Sequence, residues 1–343
     1  MKQTLLLVGN PDPTHVGAHL KHAAHPLGVE TVICNVTEAY DGSLWRNRIN
    51  WWMRGRRPTR LREFSAKVLE TCRDVRPNWL LATGIAPVEE AALKEIGKMH
   101  IFRLNYLTDD PWNPAHRAPW FLCAAPQYDY VFSPRRATLG DLRRLGCLSA
   151  CYLPFAYAPE SHFPETPTSG ERMRLQSDIV FAGGADRDRI PYMQSLIQAG
   201  FDVALYGGYW ERYPQTALAA RGHADPSILR KIVNAAKVAL CLVRRANRDG
   251  NVMRTFELAA MGACMLTEDT TDHRDLFGPE GQAVVYFRDQ EEMVDKLRWL
   301  LAHEAERQRL REAVRRLVTQ GRHTYRDRLQ TMLAAVPSEA TCA

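Results

Sequence analysis

Asp178-Ile179-Val180-Phe181-Ala182-Gly183-Gly184 decides the fold, because this apolar run ending in a glycine turn restarts a pattern the chain has already run through once. Four consecutive apolar residues read as a strand buried on both faces, as strands of parallel sheets are. The counterpart in the first half is Asn78-Trp79-Leu80-Leu81-Ala82-Thr83-Gly84. Around it, strands are expected over Leu5 to Gly9, Glu30 to Asn35, Ile101 to Tyr106 and Tyr128 to Phe132, with helices over Val16 to Ala24, Leu61 to Asp74 and Val88 to Lys98. Around the second run, strands are expected over Asp202 to Gly208, Val238 to Val243 and Cys264 to Thr267. Helices fall over Pro191 to Ala199, over Pro226 to Ala236 behind the N-cap Asp225, and over Asn251 to Met261 before Gly262. Strands alternating with helices predict an α/β protein of two Rossmann-like doubly wound domains.

The seam between them is Leu153 to Gly170, where Pro154, Pro159, Pro164 and Pro167 forbid regular helix. The expected organisation is a first domain over 1–152, a linker over 153–177, a second domain over 178–315, and a closing helix and tail over 316–343. At 343 residues and 45% hydrophobic content the chain can bury two cores. Its eight cysteines, Cys342 among them, are scattered without a C-x-x-C pair or zinc spacing, and read as reduced thiols. The apolar run after Met1-Lys2-Gln3-Thr4 is too short for a signal peptide, and no stretch reaches membrane-spanning length. A cytoplasmic or membrane-peripheral location is expected.

The net charge of +6 is uneven, with seven arginines between Arg46 and Arg62 interleaved with Trp45, Trp51 and Trp52. The plain reading of 45–62 is a solvated helix and loop whose tryptophans pack inward. The alternatives are contact with an acidic acceptor, an anionic membrane surface or another polyanion such as nucleic acid.

Ligands of doubly wound sheets bind at the carboxyl ends of the strands. The richest such stretch is Arg248-Asp249-Gly250-Asn251-Val252-Met253-Arg254-Thr255-Phe256-Glu257, running on through Gly262 to Thr267. Gly250 and Asn251 lie at a helix start, where backbone N–H groups and the dipole favour phosphate. Arg254 and Glu257 are three apart and share a helix face; one can neutralise a diphosphate while the other accepts ribose hydroxyls, or the two form an ordinary surface ion pair. On the acceptor side, His15, the adjacent carboxylates Asp109 and Asp110, and His116 are the titratable residues expected at strand ends. Neither Gly9-Asn10-Pro11-Asp12 nor Gly183-Gly184-Ala185-Asp186 fits G-x-G-x-x-G, which argues against a dinucleotide enzyme.

Arg254-Thr255-Phe256-Glu257, followed by Ala260-Met261-Gly262-Ala263-Cys264-Met265-Leu266-Thr267 and Leu276-Phe277, resembles the hallmark of retaining GT-B glycosyltransferases, the group-1 (GT4-like) families and especially the CgeB-like spore-maturation branch. Leu153-Pro154-Phe155-Ala156 with Phe163-Pro164, and Asp109-Asp110-Pro111-Trp112, resemble further segments of those enzymes. The resemblance implies two domains facing across a cleft, and a hexosyl- or pentosyltransferase that uses a nucleoside-diphosphate sugar such as a UDP-sugar, with no obligatory cofactor or metal. It places Glu257 on the ribose and Asp249 near the sugar, where the family carries glutamate. It puts Gly183, Gly184 and either Arg187 or Arg189 on the diphosphate, and the loops holding Tyr209, Trp210 and His223 at the base. The acceptor stays open among a glycan, a lipid-linked sugar, a small molecule and modified DNA. A rival reading is a non-catalytic sugar-nucleotide-binding protein on the same scaffold.

Overall fold

A computed structural model of the chain describes residues 3–335. Met1, Lys2 and residues 336–343, the end of the expected tail with Cys342, lie outside the described residues. The chain divides into two compact units.

The first unit comprises the chain up to Pro154, the short segment Ala246–Asp249, and the chain from Tyr325 onward. Its sheet has six strands, β1 (Gln3–Gly9), β2 (Val29–Asn35), β3 (Trp79–Thr83), β4 (Phe102–Tyr106), β5 (Tyr130–Ser133) and β6 (Ala150–Tyr152), in the order β2-β1-β3-β4-β5-β6. Every pairing is parallel; Leu5 to Val8, for example, lies against Trp79 to Ala82. Leu6, Val8, Leu80 and Ala82 of the central strands meet Phe64, Val68, Leu93 and Ile96 of the covering helices in one core. The order reverses between β1 and β3. β6 is absent from the sequence expectation because three residues after Leu148-Ser149 carry no periodicity of their own.

The second unit comprises Phe155–Arg245 and Gly250–Thr324. Its five parallel strands are β7 (Ile179–Ala182), β8 (Val203–Tyr206), β9 (Val238–Cys241), β10 (Met265–Glu268) and β11 (Val285–Phe287), in the order β11-β10-β9-β7-β8. All residues of these strands are buried, as a sheet covered on both faces requires. The reversal, where a ligand crevice forms, lies between β7 and β9.

Helix ends follow local chemistry. Asp225 caps Pro226–Ala235 by accepting from the Ile228 amide at 2.8 Å, and proline at the first position sacrifices no needed donor. The linker holds a helix the proline count hid, Ser169–Leu175, started by a capping box in which Thr168 and Glu171 bond each other's amides. The helix expected from Asn251 begins later, at Met253–Ala260, because Gly250 and Asn251 are held in a separate turn and Val252 is extended.

One expectation for 45–62 is overturned. The helix Leu44–Met53 turns its tryptophans outward, Trp45 and Trp52 being 76% and 82% exposed. Its inner side is occupied by asparagines instead. Among the described residues no helix is long and apolar enough to cross a membrane.

Candidate functional site

Within the second unit, the loops after β7 and β9 flank the point where strand order reverses, and the helix Met253–Ala260 leaves that point. The start of this helix is fixed by a chain of buried hydrogen bonds. The Thr255 hydroxyl accepts from the Val252 amide at 3.1 Å and lies 2.9 Å from His273 Nε2. His273 Nδ1 lies 2.8 Å from the Glu268 carbonyl, which can only accept, so Nδ1 carries the proton and Nε2 accepts from Thr255.

Gly250 is required by close approach: a Cβ there would sit 2.4 Å from Asp272 Oδ2. Its carbonyl accepts from the Thr270 hydroxyl at 2.6 Å, and the Asn251 amide donates to Asp272 at 2.8 Å. Asn251 also accepts from the Phe155 amide at 3.4 Å, so its side chain latches the turn. The outcome is a helix start whose dipole end is held rigidly at the crevice.

Arg254 and Glu257 do share a face. Arg254 Nε donates to the Ala182 carbonyl at the end of β7 at 3.2 Å, and its guanidinium is hydrogen-bonded to the Glu257 carboxylate. Glu257 is 1% exposed, whereas a third of the Arg254 side chain reaches solvent. His162, which sequence reasoning passed over, lies on the other side. Its Nδ1 accepts from the Ala158 amide at 3.0 Å, which places the ring proton on Nε2, 3.6 Å from Glu257 Oε1. That separation is electrostatic contact and longer than a hydrogen bond. A histidine in a proline-rich linker carries no spacing signal, so only the fold could reveal it.

The glycine turn after β7 is braced from several sides. Arg189 is buried, donates to the Gly184 carbonyl at 3.1 Å, and its amide is capped by Asp186 at 2.9 Å. Arg187 is exposed. Trp210 donates from its indole N–H to the Gly183 carbonyl at 2.8 Å and is fully buried against Phe181. Of the two roles open to Trp210, stacking on a base or packing, its full burial leaves only the packed one, and its expected place at the base is corrected to the core. Tyr209 beside it is exposed, in the left-handed region at φ 76°, with the Arg212 guanidinium 4.2 Å from its ring. The exposed His223 ring lies next to Gly208. Arg245, also unforeseen, follows β9 and pairs with the buried Glu268 at 2.9 Å.

The first unit gathers a different set. Asp110 is buried, takes two bonds from Arg248 at 2.6 and 3.1 Å, and accepts from the Trp112 amide at 2.9 Å. Arg248 also bonds Asp141 at 2.7 Å, which holds that carboxyl below the usual range. Asp249 is bound by the guanidinium of Arg135, the two side chains being 3% and 2% exposed. Arg135 further donates to the Thr108 carbonyl at 2.7 Å. Asp109 is half-buried beside Gly84. His15 is exposed at the start of the helix Val16–Ala24, and His116 is half-buried in the turn that Asn113 begins.

The buried histidine gives a pH test. Desolvation pushes His273 down to about 4, outweighing the Glu268 carbonyl and the Asp272 and Asp269 charges that favour protonation. The unfolded chain, titrating near 6.5, binds more protons than the native one between these values. Stability from this group is therefore full above pH ~6.5 and lost as pH falls towards 4, by on the order of 3 kcal/mol. His273→Gln removes this part of the dependence. Urea denaturation at neutral and mildly acidic pH should show the wild type losing about 2 kcal/mol more than the variant; equal losses would count against a neutral buried imidazole.

A family model described as glycosyl transferase-like matches residues 189–334. No curated protein matches the chain by sequence. Among solved structures, sucrose-phosphate synthase from Thermosynechococcus elongatus is similar at TM-score 0.68 and 13% identity, over 97% of this chain and 98% of that one. Anabaena HepE in complex with UDP-glucose is similar at TM-score 0.62 and 11% identity, over 97% and 100%. A putative UDP-N-acetylglucosamine 2-epimerase from Listeria monocytogenes is similar at TM-score 0.59 and 14% identity, over 98% and 96%. At such identities the likeness is one of fold: two parallel-sheet α/β domains, as in GT-B glycosyltransferase structures.

Proposed function

We propose that this chain moves a sugar from a nucleoside-diphosphate donor to an acceptor hydroxyl, with the donor held by the second unit. The observation that carries the reading is the Arg254–Glu257 pair at the end of β7, in the crevice where strand order reverses. A diphosphate competing for the partly exposed Arg254 guanidinium would uncover the Glu257 carboxylate, which is then available to ribose hydroxyls. Arginine suits this exchange because its planar fork binds carboxylate and phosphate equally well. The helix start at Met253, fixed in place by the Gly250–Asn251 turn before it, adds its dipole to the same anion. The family model over 189–334 and the HepE complex with UDP-glucose support a nucleotide sugar, and a UDP-sugar first.

In transfer, the bond from the anomeric carbon to the leaving phosphate breaks while the acceptor oxygen bonds that carbon, and the acceptor proton passes to the leaving phosphate. Arg254 and the helix start stabilise the charge that develops there. Retention of configuration and the CgeB-like affinity rest on the sequence resemblance. Arg189 acts on the donor indirectly, by holding the Gly183–Gly184 turn, and Tyr209 and His223 are the exposed residues offered to the base.

A second reading, sugar-nucleotide binding without transfer, is favoured by one observation: the Asp249 carboxylate is already taken by Arg135. In a thermal-shift panel of UDP, GDP, ADP and their sugars, one nucleotide at a hundredfold its Kd should stabilise by about 2.7 kcal/mol, or roughly 5–10 °C. The absence of any shift would sink both readings. Release of the free nucleoside diphosphate from the donor by the pure protein selects transfer or hydrolysis over mere binding.

A further inference from the structure

The helix Leu44–Met53 is built inside out. Ser43 starts it by accepting from the Arg46 amide, and the side chains it turns inward are polar. Asn50 is buried and donates to the Thr59 hydroxyl at 3.2 Å; Asn47 donates to the Tyr40 carbonyl at 3.1 Å and accepts from Thr59. At 3.6 residues per turn, Trp45, Ile49, Trp52 and Met53 fall in a sector about 100° wide on the far side from those asparagines. All four are exposed, as are Leu44 and Trp51. A helix that buries amides and offers indoles to solvent departs from the pattern its own core requires, and contiguous exposed apolar surface marks an interaction site.

Charge narrows the partner. Residues 45–62 contain seven arginines and no acid. Arg57 is tied to Glu89 at 2.7 Å, and Arg56 donates to the Arg117 carbonyl while lying 5.2 Å from the Trp51 ring, which anchors the segment to its unit. Arg46, Arg48, Arg54, Arg60 and Arg62 remain exposed. A second copy of the chain would set arginines against arginines. A nucleic acid duplex would satisfy the arginines at its backbone and leave the indole sector without a role, while single strands, whose bases can stack on indoles, are a control in the test. An anionic bilayer satisfies both, since indoles settle at the boundary between headgroups and acyl chains while guanidiniums meet lipid phosphates.

We propose that the helix Leu44–Met53 seats this protein on an anionic lipid surface, with Trp45, Ile49, Trp52 and Met53 entering the interface and Arg46, Arg48 and Arg54 on the headgroups. The site is independent of the donor crevice and needs no nucleotide. On the transferase reading proposed above, this seat would hold the protein beside membrane-borne acceptors.

The test is sedimentation of the full chain with vesicles of phosphatidylcholine containing about one third phosphatidylglycerol, against pure phosphatidylcholine. Binding is expected to the anionic vesicles, with a blue shift of tryptophan emission and quenching by lipids brominated near the headgroup. It should fall at least about tenfold between 0.1 and 0.5 M salt. Trp45→Glu/Trp52→Glu should abolish quenching, and Arg46→Gln/Arg48→Gln/Arg54→Gln should weaken binding roughly 100-fold. Both variants alter exposed side chains only, so their melting temperatures and nucleotide shifts should match the wild type. No binding to anionic vesicles overturns the proposal. So does vesicle binding that survives Trp45→Glu/Trp52→Glu. Binding to DNA alone, duplex or single-stranded, or self-association that these tryptophans govern, assigns the face to a different partner and overturns it equally.

Discussion

Glu257→Gln weakens UDP binding about 10- to 100-fold and removes about half or more of the thermal shift UDP produces in the wild type. The carboxylate is 1% exposed and bounded by Arg254 on one side and His162 Nε2 on the other. Glutamine keeps its volume and loses the charge. Two ribose hydroxyls bonded to a carboxylate gain charge-assisted hydrogen bonds of about 1.5–3 kcal/mol each, while an amide carbonyl accepts them weakly. The stability of the nucleotide-free protein should change less, because Arg254 is partly exposed and can turn to water. Calorimetric titration of UDP into both proteins separates the cases. Equal affinities would return Arg254 and Glu257 to the status of an ordinary helical ion pair.

Arg135→Met is the other large effect, and it acts on folding. Arg135 and Asp249 are buried together, so removing the guanidinium strands a carboxylate away from water at a cost of about 3–5 kcal/mol. The Thr108 carbonyl loses its 2.7 Å donor in the same change. For a unit of this size that corresponds to a melting temperature lower by roughly 10 °C. Adding Asp249→Leu should recover much of the loss, since the stranded charge disappears with it. Scanning calorimetry of the two single variants and the double variant measures the coupling. A single variant that melts within a degree or two of the wild type would show that the pair is not buried as described.

The central strands were legible because burial on both faces leaves an unbroken apolar run, as in Leu80-Leu81-Ala82 and Ile179-Val180-Phe181. The edge strands β6 and β11 were not, being three residues long and placed by pairing with β5 and β10. Arg254 and Glu257 could be read as one face from spacing alone, but their context could not. Trp210 and Tyr209 are adjacent and chemically alike, yet one is core and the other exposed, because only the fold puts the Gly183 carbonyl within reach of the indole N–H. The resemblance places Asp249 near the sugar and the strand-end reading makes Asp110 a titratable candidate, yet both meet arginines far away in sequence, Arg135 and Arg248. For 45–62 the plain reading packs the tryptophans inward because a run of charge is usually only a solvated surface. Asn47 and Asn50 hold the inward side, a choice no hydrophobic pattern announces.

The most direct measurement of the central claim is a crystal structure of the protein with UDP bound at saturation. The account predicts diphosphate oxygens within about 3 Å of the Arg254 guanidinium and the helix start after Gly250, with the ribose hydroxyls on Glu257 and Arg254 drawn off that carboxylate. UDP seated elsewhere, with Glu257 still covered by Arg254, would contradict it.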